Sequence, residues 1–201
     1  MTEIIFNPKD HTYTYGETPT PSVTTLIKLM AADPYAGIPK RTLDRASKYG
    51  NKVHELIEDY ALGKYEGEPE DAEGYEGIAL RRFYDLAKEN DIVITSCEQR
   101  LVYLDSGLPL YCGTYDMFGT IGGKTSLIDI KTTAEVHHTQ LGLQLAMYKG
   151  AFEQMYNNAV EDTYCLWLPK KKLGKLIKIE IPKFEAVLEK ARTAYEKSFG
   201  D

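Results

Sequence analysis

The segment Gly113-Thr-Tyr-Asp116-Met-Phe-Gly-Thr-Ile-Gly122-Gly123-Lys-Thr-Ser-Leu-Ile-Asp129-Ile-Lys131 decides how this chain folds. A Gly-Gly pair between two apolar runs is a hairpin signal, because the turns that match strand twist need positive φ at both central positions. Strands are therefore expected over 110–121 and 126–131. Alternate residues of a strand share a face, so Asp129 and Lys131 project together. Twelve residues separate Asp116 from Asp129, and antiparallel pairing about the glycines brings the two carboxylates side by side. Two such carboxylates repel each other unless a proton or a cation sits between them. Oxygen ligands of this kind favour Mg²⁺ or Mn²⁺. A metal so held polarises a phosphodiester and lowers the pKa of its water, while a nearby ammonium stabilises charge building on phosphorus. An Asp-x-Lys triplet is common by itself. Its weight comes from Leu127–Lys131 reading as a buried strand, where charge without a partner is expensive.

Outward from the hairpin, residues 136–157 form a helix that is apolar nearly all round and hence buried. Gln140, Gln144 and Tyr148 share one of its faces, and a glutamine in that setting needs a partner. Strands over 163–168 and 176–181, joined by a lysine-rich loop, and a helix over 184–199 complete the C-terminal part. Upstream of the hairpin, Ile92–Leu104 is a strand that carries Glu98. Further upstream, strands are expected at 3–6 and 11–15, followed by an extended linker, Thr18–Ser22. Helices follow to about Met30 (capped by Ser22 or Thr20), over 39–62 and over 73–90, with an acidic exposed loop at 63–74. The second helix carries His54, a candidate additional metal ligand. The order implies an α/β core with N-terminal helical additions, in one domain over 1–201: hairpin and helices to residue 90, α/β core from 91.

The composition agrees with one globular domain: 201 residues, 43% hydrophobic and 27% charged. No run of 18 apolar residues is present, so no spanning helix and no membrane partner are expected. The first residues, MTEIIFNPKD, do not read as a secretory leader. Cys97, Cys112 and Cys165 lie far apart with no CxxC pair. This argues against a disulfide framework, a four-cysteine zinc site or an iron–sulfur cluster, and points to a reducing cytoplasm. The net charge is −6, but residues 55–76 hold nine acids against Lys64 alone. That stretch is −8, which leaves +2 elsewhere. Basic clusters at 40–52 (Lys40, Arg41, Arg45, Lys48, Lys52) and 170–178 (Lys170, Lys171, Lys172, Lys175, Lys178) read as solvated faces unless they flank chemistry.

Five segments in order, Pro21–Ile27 (PSVTTLI), Gly50–Glu58 (GNKVHELIE), Gly113–Asp116 (GTYD), Asp129–Thr133 (DIKTT) and Gln144–Tyr148 (QLAMY), resemble the PD-(D/E)xK nuclease superfamily. Within it they are similar to the RecB-like exonuclease branch, with its phage exonucleases and the mitochondrial genome maintenance exonuclease. The likeness runs from about Pro21 to about Tyr156. It implies a restriction-endonuclease-like core, a mixed sheet flanked by helices, and Mg²⁺- or Mn²⁺-dependent hydrolysis of DNA. It assigns metal-binding carboxylates to Asp116 and Asp129, a carbonyl ligand to Ile130, and the catalytic lysine to Lys131. His54 becomes an extra metal ligand, and Glu98 falls where the branch often has a glutamate. Gln144 and Tyr148 support the active site and contact DNA, and Thr132 is a candidate phosphate contact. Arg45, Lys48, Lys52, Lys170, Lys171 and Lys172 become candidates for gripping the DNA backbone. The implied partners are DNA, as single strands or duplex ends, with a phage recombinase or single-strand-binding protein as candidates, in the cytoplasm of a bacterial host. The four-cysteine cluster of some relatives is missing, and so are fused helicase domains. Two alternatives stand beside the exonuclease: a non-catalytic DNA- or protein-binding module such as a nuclease inhibitor, and a structure-specific endonuclease.

Overall fold

Gly122 and Gly123 adopt φ of 55° and 80°, the left-handed conformations that a two-residue hairpin turn requires. The computed structural model describes residues 2–8, 10 and 12–199. In chain order the elements are β1 (Ile4–Asn7), β2 (Thr12–Tyr15), β3 (Thr18–Thr20), α1 (Val23–Met30), α2 (Lys40–Ala61), α3 (Gly74–Glu89), β4 (Ile92–Asp105), β5 (Leu108–Ile121), β6 (Lys124–Lys131), α4 (His138–Tyr156), β7 (Asp162–Trp167), β8 (Lys175–Lys178) and α5 (Phe184–Phe199).

The five strands from β4 to β8 form one sheet in sequence order. Neighbours are antiparallel except β6 and β7, which run parallel and are joined through α4, as a parallel pair needs a crossover. Helices cover both faces. On one side Leu26 of α1, Leu145 and Met147 of α4 and Val187 of α5 pack with Tyr111 and Leu127. On the other, Val53 and Ile57 of α2 and Leu80 and Phe83 of α3 pack with Met117, Ile128, Ile130 and Leu166. The fold is thus the expected mixed α/β sheet between helices, with helical additions at the N-terminus.

Ser22 caps α1 as the sequence suggests, accepting from the Thr25 amide at 3.0 Å. Three features differ from the sequence reading. The supposed linker contains β3, which pairs with β2 and completes a small sheet packed through Tyr13 on Val102 and Cys112. The acidic segment is anchored: it includes a 3₁₀ turn at Pro69–Asp71, and Arg81 donates to the Ala72 carbonyl at 2.7 Å. β8 ends at Lys178, short of the expected 181. His11, where the second strand was expected to begin, lies outside the described residues. Among the described residues no helix is long and apolar enough to cross a membrane.

Candidate metal centre

Three acidic residues line up across three neighbouring strands. Cys97 pairs with Met117 and Gln99 with Tyr115, which sets Glu98 opposite Asp116. Met117 pairs with Ile128, and the next position along sets Asp116 opposite Asp129. Glu98 has a φ of 49°, a left-handed backbone rare for glutamate that costs about 1–2 kcal/mol. Such strain gathers at functional positions. The Asp116 carboxylate is fixed by the adjoining strand, because its Oδ2 accepts the Ile130 amide at 2.6 Å.

His54 reaches this row from α2. Its Nδ1 lies 3.6 Å from Asp116 Oδ1 and 3.9 Å from Glu98 Oε1. Burial opposes a charge on the ring, but Asp116, Glu98 and Asp129 outweigh it and raise the His54 pKa to about 9. Ligand atoms of His54, Glu98 and Asp116 all fall within 4.8 Å of one another. Two ligands on one Mg²⁺, each at about 2.1 Å, sit at most about 4.2 Å apart. The three residues therefore fit a divalent ion after a shift of well under an ångström, and this cluster could bind a metal. Glu98, the least defined candidate in the sequence, is one of its three members. The Ile130 carbonyl faces His54 Nε2 at 3.1 Å.

Asp129 is turned to a different partner. Its side chain is 2% exposed, and Lys131 Nζ stands 2.5 Å from its Oδ2. The contact is off the line of a good hydrogen bond, and neither Asp129 oxygen accepts an aligned one. Burial pushes the Asp129 carboxyl up and the Lys131 charge opposes it. Burial also works against the Lys131 ammonium, yet Asp129 and Asp116 hold its pKa above the ordinary value. Lys131 further donates to Gln144 Oε1 at 3.3 Å, and Gln144 Nε2 donates to Tyr148 Oη at 3.2 Å. The i, i+4 pair on α4 thus braces the lysine through one amide.

Two glycines make room for this arrangement. A Cβ on Gly113 would stand 2.6 Å from Tyr148 Cε1, and one on Gly50 would stand 3.1 Å from Thr132 Oγ1. Gly113 therefore admits the Tyr148 ring, and Gly50 lets α2 close on Thr132.

The cations are placed less simply. At about 100° per helical residue, Lys52 is about 160°, Arg45 about 180° and Lys48 about 120° round α2 from His54. All three are exposed, and Lys52 borders Glu55, Asp59 and Glu76. The structure does not bring these three to the metal cluster, because the helix turns its basic face away from the His54 side. Lys170 and Lys172 lie against the protein: Lys170 Nζ is 3.9 Å from the Tyr75 ring centroid and Lys172 donates to the Ala134 carbonyl at 3.2 Å. Lys171 is exposed. The sequence reading also missed a wall beside Lys131 formed by Tyr35 and His137, which meet edge to face at 5.2 Å. Nothing in either residue's local pattern signals the other.

No family model matches the chain, and no curated protein matches it in sequence. Among solved structures, the chain is similar to SSO0001, at 16% identity and a TM-score of 0.46, covering 89% of this chain and 76% of that one. It is also similar to a "putative exonuclease" from Eubacterium rectale, at 10% identity and a TM-score of 0.49, over 75% of this chain. Our chain spans 64% of that exonuclease, just under two thirds of its length.

Proposed function

We propose that this protein is a Mg²⁺- or Mn²⁺-dependent deoxyribonuclease of the PD-(D/E)xK type, acting on DNA ends as an exonuclease. The observation that carries the reading is the row Glu98–Asp116–Asp129 across β4, β5 and β6. His54 closes one end of it and Lys131 holds the other. His54, Glu98 and Asp116 would hold the ion, with Asp129 and the Ile130 carbonyl as its neighbours on β6. When bound, such an ion polarises the phosphodiester and lowers the pKa of its water.

The chain's own groups supply the rest. Lys131, kept in place by Asp129 and Gln144, presents an ammonium to the charge that develops on the phosphoryl oxygens. Tyr148 fixes the Gln144 amide and so limits how far Lys131 swings. The Ile130 amide keeps Asp116 in one orientation, so that its other oxygen stays turned toward His54. Thr132, next to Lys131, is the proposed phosphate contact, and exposed Lys171 a further one. The working setting we infer is phage or prophage recombination, replication or repair in a bacterial cytoplasm, with DNA as the principal partner.

The test is direct. Purified protein with Mn²⁺ is expected to shorten end-labelled linear DNA, to stop in EDTA, and to lose this activity as Lys131→Ala. Covalently closed circular DNA is expected to survive; its cutting would make the enzyme an endonuclease. Linear DNA left intact, with Lys131→Ala behaving identically, would overturn the nuclease reading.

A further inference from the structure

A cavity of about 240 Å³ opens beside Lys131. Ile27 of α1, Pro34 and Tyr35 of the segment after it, and His137 and Leu141 at the start of α4 form its walls. Lys131 and Gln144 form the end nearest the acidic row. The walls are built: Gln140 donates to the Ala32 carbonyl at 2.8 Å, tying segment 31–35 to α4, and the Tyr35 and His137 rings brace each other at 88°.

Resting on the nuclease reading above, we propose that this cavity takes the base of a single unpaired nucleotide next to the phosphodiester being cut. Three observations favour that occupant. First, the cavity shares Lys131 with the acidic row, so a group inside it belongs to the nucleotide adjoining the reacting phosphate. Second, its volume is enough to admit one base, as in the pockets of enzymes that extrude a base. Third, aromatic and apolar side chains make much of its wall; Lys28 and Asp33 also line it, and three further polar side chains are already engaged. Thr24 Oγ1 shares a hydrogen bond with Ser22 Oγ, Thr133 Oγ1 donates to the Glu135 carbonyl, and Gln144 uses its amide oxygen on Lys131 and its nitrogen on Tyr148. Tyr35 and His137 offer aromatic surface on which any base can stack. The substrate class follows: DNA that is single-stranded at the nucleotide beside the cut.

The probe is a single strand in which one 2-aminopurine, or one abasic residue, is moved a position at a time. Wild-type protein is used with Ca²⁺ in place of Mn²⁺. At one register, beside the bond cut when Mn²⁺ is supplied, 2-aminopurine fluorescence is expected to be quenched on binding. There an abasic residue is expected to weaken binding about tenfold. Tyr35→Ala is expected to remove the quenching and to shrink the abasic penalty to under about twofold; His137→Ala serves the same purpose if the first variant does not fold. Equal affinity for base-bearing and abasic strands at every register, with linear DNA still cut in Mn²⁺, would overturn the cavity's role and leave the nuclease standing. DNA neither bound nor cut would overturn both.

Discussion

Two acid–base pairs in this molecule differ in how well they are satisfied. Asp105, at the end of β4, and Arg192 of α5 meet at the surface. Nε stands 2.6 Å from Oδ2 and the second guanidinium nitrogen 2.7 Å from Oδ1, so the fork fits the carboxylate. Asp129 and Lys131 meet two residues apart on one strand, with Asp129 2% exposed and neither of its oxygens accepting an aligned hydrogen bond. A pair that served stability alone would be the first one. A buried pair is often no better than apolar residues of the same volume, and a buried carboxylate whose only donor is a misaligned ammonium needs an explanation. The surface pair joins a helix to the sheet edge. On the proposed function, the buried pair keeps charge where a phosphate and a cation would meet it.

The strongest way to break this contrast is Lys131→Met. The methionine fills the space of the lysine stem and removes the charge, and Asp129 then takes up a proton. Cleavage of linear DNA is expected to fall about 10²–10³-fold, while circular dichroism stays that of the folded protein. Unchanged cleavage would mean that the buried pair is structural. Asp116→Asn comes next. Its amide oxygen still accepts the Ile130 amide, so the strand pairing survives, but one anionic ligand is gone. Mn²⁺ affinity by calorimetry is expected to drop about tenfold or more. A drop in melting temperature with unchanged Mn²⁺ affinity would place the cation elsewhere.

How far the sequence shows this site depends on the range of each interaction. The glycine hairpin, the shared face of Asp129 and Lys131, and the i, i+4 pair Gln144–Tyr148 are local periodicities, and all are legible in the order of the amino acids alone. The placing of Glu98 is not, because it depends on a register shift between Ile94 and Ser96 in β4 and on a left-handed backbone that no local signal announces. The Tyr35–His137 wall joins segments a hundred residues apart. The basic face of α2 is legible in its period, since 100° per residue already turns Arg45 and Lys52 from His54. Closeness in sequence gives a different impression from closeness on the helix. Gly113 looks like an ordinary strand glycine until the ring that crosses it is seen.

That glycine gives the third prediction, which sharpens the contrast by moving a support of Lys131 without touching the pair. Gly113→Ala places a methyl 2.6 Å from Tyr148 Cε1 and 3.1 Å from Val23 Cγ2, both in a packed core. Overpacking of this kind costs about 1–3 kcal/mol, read as a lowered denaturation midpoint. Cleavage is expected to fall too, by less than in Lys131→Met, because the displaced ring carries the Gln144 amide with it. Adding Tyr148→Leu is expected to restore the midpoint but not the cleavage. If Gly113→Ala is neutral in both, Tyr148 does not brace the site.

The smallest effect belongs to the surface pair, and its pH dependence is the sign to check. The Arg192 hydrogen bond, helped by its charge, holds the Asp105 carboxyl below its ordinary pKa against the opposing effect of burial. A carboxyl whose folded pKa is lowered contributes stability that is present above its unfolded value, about 3.9, and is lost as pH falls through the folded one. Arg192→Gln is therefore expected to lower the melting temperature by a constant amount above about pH 5, and by a shrinking amount below it. That loss should be smaller than for Gly113→Ala, because both partners remain in water and salt screens them. DNA cleavage should be unchanged at every pH at which the protein is folded. A deficit that widened on acidification, or cleavage that fell with it, would couple the helix anchor to the acidic row and merge the two pairs into one network.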